Sequence, residues 1–247
     1  MTAVVKRRLA GARVLLTRSE DDCAEWAEEL ERRGARAVLL PCIRSESIDT
    51  PELRAALRDA LADADWLVLT SRRGVAACAR LLAPAALPSR TRVATVGAAT
   101  ADDARARLGR ADLVGGGNAA VLDAELTKDA GFARGAHVVL ALAANASDAL
   151  ERALTAAGAR CARFDVYRTI PAPPGPSKRA LSSLGAERVV LASPSAASGF
   201  VHQVDLDVPV AIYTIGPSTT AAARALGLAV TAEAREPSLE GILEAMQ

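Results

Sequence analysis

Short apolar runs alternate with longer segments of helical period along almost the whole chain. Val14–Thr17 reads as a strand. The helix after it places Cys23, Trp26, Ala27 and Leu30 on one face and ends at Gly34. Ser19, with Asp22 three residues on, predicts the cap of that helix. Arg36–Pro41 gives the next strand, and Thr50-Pro51 opens a helix with Leu53, Leu57 and Leu61 inward. The pattern continues as strand Asp65–Thr70, helix Arg72–Leu82, strand Arg92–Val96, helix Ala98–Leu108, short strand Ala111–Val114 and helix Ala119–Ala130. Strand Ala136–Leu142 and a Ser147-capped helix ending at Gly158 follow. Beyond Pro171 the pattern predicts a helix near Lys178–Leu184, strand Glu187–Ala192, a helix from Ser195, strand Val208–Ile215, helix Pro217–Leu226 and a last helix capped by Ser238. Strand and helix taking turns in this way is the signature of an α/β fold with parallel sheets.

One stretch breaks the rhythm. From Arg160 to Pro171, polar Arg163, Asp165, Tyr167 and Thr169 alternate with apolar Ala162, Phe164 and Val166. That period of two predicts a long strand, and Pro171 with the Pro/Gly/Ser run after it suits a segment leaving one globule for another. Tyr167, one of two tyrosines, is expected to face a cleft from this hinge strand, and packing at a strand edge fits it equally.

The chain also repeats itself. Gly11-Ala12-Arg13 recurs as Gly135-Ala136-His137, and Gly34-Ala35-Arg36 recurs at the same separation as Gly158-Ala159-Arg160. Asp65–Ser71 matches Glu187–Ser193, and Val96-Gly97 with Thr100 matches Ile215-Gly216 with Thr219. The separation narrows a little towards the C-terminus, as loop insertions and deletions produce. Two copies predict two similar lobes rather than a solenoid.

Composition narrows the chemistry. Half the 247 residues are apolar and only 3% aromatic, so Ala, Val and Leu must build the core. A net charge of +1 gives no field directed at nucleic acid or an anionic membrane, so any anion site has to be local. The four cysteines form no C-x-x-C pair, which suits reduced thiols in a cytosolic protein. Lys6-Arg7-Arg8 precedes no apolar run long enough for a signal peptide, and no segment reaches transmembrane length.

At the carboxyl ends of the expected strands lie turns rich in Ser, Thr and Gly: Thr17-Arg18-Ser19, Thr70–Gly74, Gly97–Thr100, Ser193–Ser195 and Gly216–Thr219. Each feeds a helix, where free N–H groups and the positive end of the helix dipole bind anions. Any single Ser or Thr there is more often a plain N-cap. Five together, with Arg18, Arg72 and Arg73 nearby, point to a cleft for a multiply charged anion. Gly115-Gly116-Gly117-Asn118 lacks a dinucleotide-binding spacing and reads as a flexible turn, and no G-x-S-x-G surrounds Ser193. His137 and His202, the only histidines, support neither a metal site nor a triad.

Taken in order, these landmarks resemble the uroporphyrinogen-III synthase family. The resemblance runs from Arg13–Arg18 through Asp65–Val75, Val96–Thr100 and Val166–Thr169 to Ser193–Ser195, Ile215–Thr219 and Glu236–Gly241. It implies two similar parallel-sheet α/β lobes joined by a two-stranded extended linker. Lobe 1 would comprise 1–41 plus 172–247 and lobe 2 residues 49–162, with 42–48 and 163–171 as linker strands. It also implies a cofactor-free, metal-free cyclisation of hydroxymethylbilane with loss of water and inversion of ring D. Tyr167 would be the proton donor, and Ser71, Arg73, Thr100, Ser193, Ser218 and Thr219 substrate contacts. The strand-end turns add Thr17, Arg18, Gly97, Ser195 and Gly216. Where relatives often carry Arg and Gly, Ala141–Ala144 reads Ala-Leu-Ala-Ala, which removes a charge from that corner. The enzyme would be a cytoplasmic monomer in transient contact with the enzyme that makes its substrate, with no nucleic-acid or membrane partner. A non-catalytic two-lobe sensor of a polyanion fits the same residues. A nucleotide-dependent transferase lacks its phosphate loop.

Overall fold

The computed structural model describes residues 9–130 and 132–247. Lys6–Arg8 and the rest of the first eight residues lie outside it. The chain divides into two compact units: unit 1 comprises residues up to Arg44 and again Ile170–Gln247, and unit 2 comprises Ser45–Thr169.

Unit 1 is built on β1 (Arg13–Leu16), β2 (Arg36–Leu39), β10 (Arg188–Leu191), β12 (Ala211–Thr214) and β13 (Val230–Glu233), in the order β13-β12-β10-β1-β2. Every pairing in this sheet is parallel. Both faces are covered. Val14 and Leu16 join a cluster with Trp26, Leu30 and Ile242, while Leu15 joins Val189, Leu191 and Phe200 on the other side. Burial on both faces explains why the central strands β1 and β10 run apolar after their first residue instead of alternating. The covering helices include α1 (Glu20–Arg32), α8 (Pro194–Gln203), α9 (Pro217–Ala225) and α10 (Leu239–Ala245).

Unit 2 carries β4 (Trp66–Leu69), β5 (Arg92–Thr95), β6 (Leu113–Val114), β7 (His137–Ala143) and β8 (Arg160–Pro171), in the order β8-β7-β4-β5-β6. Its sheet is extended beyond β8 by β3 (Ile43–Ser47). All four residues of β4 are buried, with Leu67 and Leu69 on one face and Trp66 and Val68 on the other. Helices α2 (Pro51–Ala62), α3 (Arg72–Leu82), α4 (Ala98–Leu108), α5 (Ala119–Leu126) and α6 (Ala149–Ala156) complete the unit.

The repeat in the sequence has its counterpart in the two sheets. Strands β2-β1-β10-β12-β13 of unit 1 follow the same spatial order as β8-β7-β4-β5-β6 of unit 2. The glycine landmarks do the same work in each. The Gly11 amide donates to the Gly34 carbonyl at 2.7 Å and that of Gly135 to Gly158 at 2.8 Å. Gly34 and Gly158, at φ +86° and +96°, adopt the left-handed turn that glycine takes without cost after a helix. The structure adds what the pattern did not announce: β13, and a small parallel pair of β9 (Arg179–Ala180) with β11 (Val204–Asp205). The helix expected over 178–184 is only the single turn α7 (Leu181–Leu184), and the one expected to reach Ala130 ends at Leu126.

Candidate functional site

In each sheet the chain order reverses once: between β1 and β10 in unit 1, and between β7 and β4 in unit 2. Open parallel sheets bind ligands outside the carboxyl ends of their strands at such reversals. The turns singled out in the sequence flank these points.

In unit 2, Ser71 follows β4 and caps α3, its Oγ accepting the Gly74 amide at 3.0 Å. The Tyr167 hydroxyl lies 2.9 Å from the same Oγ. Tyr167 reaches it across the end of β7 because β8 is irregular there: Leu142 pairs with Asp165, but Ala143 pairs with Tyr167, leaving Val166 as an extra residue. An extra residue of this kind re-aims the side chains after it. Val166 and Tyr167, neighbours that a regular strand would send to opposite faces, therefore both enter the cluster around Leu69, Val75 and Ala141. Tyr167 is 9% exposed. Gly74 lets the first turn of α3 sit close to the end of β7, since a Cβ there would lie 3.2 Å from the Ala141 carbonyl oxygen and 3.3 Å from the Ser71 Oγ, with the Tyr167 ring in ordinary contact at 3.8 Å.

The rest of the unit 2 rim is mostly backbone. Gly97 caps α4 without a side chain, and Thr100 in its first turn is buried. The Gly115–Gly117 turn is tied to β5 through hydrogen bonds from Gly115 to Thr95 and from Gly117 to Val96. Arg73 is half-buried on the first turn of α3, and the exposed Arg72 points to Asp103 at 3.9 Å. At the corner after β7, the Arg163 guanidinium donates to the carbonyls of Ala143 and Ala146 at 3.2 and 3.1 Å and pairs with Asp165 at 3.0 Å. A guanidinium from the neighbouring strand thus stands at this corner, bound to its carbonyls and to Asp165.

In unit 1, Thr17 is fully buried and its hydroxyl donates to the Val190 carbonyl at 2.7 Å, joining β1 to β10. The Arg18 guanidinium stacks 4.3 Å above the Trp26 ring and pairs with Asp22 at 3.5 Å. Ser19 makes no side-chain cap; its hydroxyl donates to the Asp22 carboxylate at 2.8 Å. Ser19 stands at the N-cap position as expected, but its hydroxyl bonds the Asp22 side chain and not a backbone amide of the first turn. Ser193 caps α8 through the Ala196 amide at 3.0 Å, with Pro194 at the first helical position and Ser195 half-buried after it. Gly216 caps α9, Ser218 is exposed and Thr219 buried. Beside them Thr214, Thr220 and the exposed Glu233 form a hydrogen-bonded chain that places a carboxylate on this rim.

Other groups are structural. Burial pushes the thiol pKa values of Cys23, Cys42 and Cys78 up to about 11, 12 and 12. His137 pairs with Asp63 at 3.0 Å, and His202 is exposed. Among the described residues no group of His, Cys, Asp and Glu is placed to hold a metal ion, and no helix is long and apolar enough to cross a membrane. The Ser71–Tyr167 pair was beyond sequence reasoning, since 96 residues separate its partners and the strand irregularity leaves no mark in the pattern.

Comparison with known proteins places this geometry in context. A family model described as Uroporphyrinogen-III synthase HemD matches residues 24–244. A porphyrin biosynthesis protein HemD of Ruminiclostridium josui is 30% identical over 101 residues, 39% of this chain and 20% of its own. The chain therefore spans about a fifth of the length of that curated relative. A mutant uroporphyrinogen III synthase of Thermus thermophilus superposes with TM-score 0.54 at 19% identity, over 95% of this chain and 96% of its own. The uroporphyrinogen-III synthetase of Helicobacter pylori gives 0.56 at 16%, over 94% and 97%. At these identities the two structures establish a shared fold.

Proposed function

Because the chain belongs to the uroporphyrinogen-III synthase family, we propose that it cyclises hydroxymethylbilane, with loss of water and inversion of ring D, to give uroporphyrinogen III. The observation that carries this reading is the Tyr167 hydroxyl, 2.9 Å from Ser71 at the reversal of the unit 2 sheet. Departure of the terminal hydroxyl as water requires a proton, and a held phenol is a source of one. The conversion is a dehydration and a ring closure, so its atoms balance without a redox partner or cofactor.

The substrate carries acetate and propionate groups, and the strand-end turns are suited to receive them. Helix N-termini behind Ser71, Gly97, Ser193 and Gly216 offer amides, with Arg73, Thr100, Ser195, Ser218 and Thr219 beside them and Arg18 at the end of β1. Within unit 1, Thr17 ties the end of β1 to β10 through its bond to Val190. Holding these groups fixes which pyrrole carbon meets the reactive terminus, and excluding water suppresses closure without inversion. Free thiols suit a reducing compartment. A cytoplasmic monomer, receiving the labile substrate by transient contact with the enzyme that makes it, completes the proposal. Incubation with freshly prepared hydroxymethylbilane, followed by oxidation and separation of isomers, tests it: type III in excess is expected. Type I alone, with tight substrate binding, would indicate a sensor instead.

A further inference from the structure

We propose that the Ser71 hydroxyl, and not the phenol itself, hands the proton to the departing hydroxyl, with Tyr167 resupplying it from behind; this rests on the reaction proposed above. The hydrogen-bond inventory of one atom carries the inference. A serine hydroxyl has two acceptor positions and one proton. The Gly74 amide fills the first acceptor position at 3.0 Å. The Tyr167 hydroxyl lies 2.9 Å away, and since a phenol is a stronger acid and a poorer acceptor than an alcohol, acidity favours donation from Tyr167 into the second position. The serine proton then has no protein acceptor among the described residues. Exposure agrees with this order, because Ser71 is half-buried at the mouth of the turn while Tyr167 is 9% exposed behind it.

The step balances. The Ser71 proton moves to the leaving oxygen as its bond to carbon breaks, and the bonding pair departs with water. The pyrrole nitrogen donates electrons to the carbon left behind. The Tyr167 proton moves to the Ser71 Oγ, leaving a phenolate beside the first turn of α3, where the helix dipole favours negative charge. The pyrrole that closes the ring releases a proton on regaining aromaticity, and this proton returns to Tyr167 through Ser71.

Two experiments test the relay. In a Tyr213→Phe background Tyr167 is the only tyrosine, and its Raman Fermi doublet reports whether the phenol donates or accepts. A donor-type doublet that changes on Ser71→Ala is expected; an acceptor-type doublet overturns the proposal. In type III formation, Ser71→Ala should cost at least as much as Tyr167→Phe, about 10²-fold, and the double variant no more than Ser71→Ala alone. Ser71→Thr should retain most of the rate. The rate in mixtures of light and heavy water should curve for the wild type, with two protons moving, and become linear in Tyr167→Phe. A near-normal rate in Ser71→Ala beside a slow Tyr167→Phe overturns the relay while leaving the proposed function standing. A wild type that forms no type III removes that function, and the doublet still decides whether the phenol donates to Ser71. Thermal unfolding of Ser71→Ala beside Ser193→Ala, which removes the matching cap in unit 1, separates loss of the cap from loss of the proton path.

Discussion

The two units share one strand order and one set of glycine turns, yet their rims have diverged. Ser71 and Ser193 are equivalent caps with identical 3.0 Å bonds, but only Ser71 meets a phenol. At the corner after the first strand of the repeat, unit 1 carries Arg18 just past that strand and an exposed Leu39 on the next. Unit 2 reverses this, with Leu142 on the strand and Arg163 on its neighbour. At the last strand, Glu233 brings a carboxylate to unit 1, hydrogen-bonded through Thr220 to buried Thr214. Unit 2 has Val114, Ala101 and Thr95 at the matching places. Both halves keep a serine-capped helix after the equivalent strand, and only unit 2 sets a phenol against that serine.

Gly199 offers the sharpest way to test how differently the halves are packed. A Cβ there would lie 1.9 Å from the Cys42 carbonyl oxygen, which also accepts the Ala172 amide. The matching residue of unit 2, Ala77, carries its methyl group buried without difficulty. Gly199→Ala should destabilise the protein by about 3 kcal/mol or more, since backbone cannot yield as a side chain does. Ala77→Gly should cost only about 1 kcal/mol. Urea unfolding distinguishes them, and equal effects would show that the matching positions are packed alike. Next in size is Tyr167→Phe, expected to slow type III formation about 10²-fold with the fold intact; an unchanged rate would return the residue to packing.

Alkaline unfolding gives a graded comparison. Burial holds Cys23 and Cys42 in unit 1 and Cys78 in unit 2 protonated well above the ordinary 9.0. Above that pH the unfolded chain binds fewer protons than the native one, so stability falls as pH rises. The loss is about 1.4 kcal/mol per pH unit for each thiol until its folded value is reached. Cys42→Ala should flatten the slope by one such share, whatever it does to stability at neutral pH. The smallest effect is that of the caps, where Ser71→Ala and Ser193→Ala should each lower stability by about 1 kcal/mol in thermal unfolding.

The periodicity was enough for the architecture because buried parallel strands are short apolar runs and each helix shows its inward face. It does not show β13, whose Val230–Glu233 mixes apolar and polar residues at the sheet edge, and it places Ser19 at the start of its helix without showing that the hydroxyl goes to the Asp22 carboxylate. Alternation alone groups Tyr167 with the polar residues of its strand, and the extra residue Val166 turns the ring towards the core cluster of unit 2, with its hydroxyl at Ser71. The Arg163 tether escaped notice for a related reason: its guanidinium serves a turn on the neighbouring strand, which no spacing within β8 records.

The most direct measurement is the ratio of type III to type I product from hydroxymethylbilane at matched enzyme concentration, for wild type, Tyr167→Phe, Ser71→Ala and Ser193→Ala. The account predicts that the two unit 2 changes shift the product heavily towards type I, while loss of the unit 1 cap shifts it less. An equal shift from Ser193→Ala, or none from Tyr167→Phe and Ser71→Ala, would contradict it.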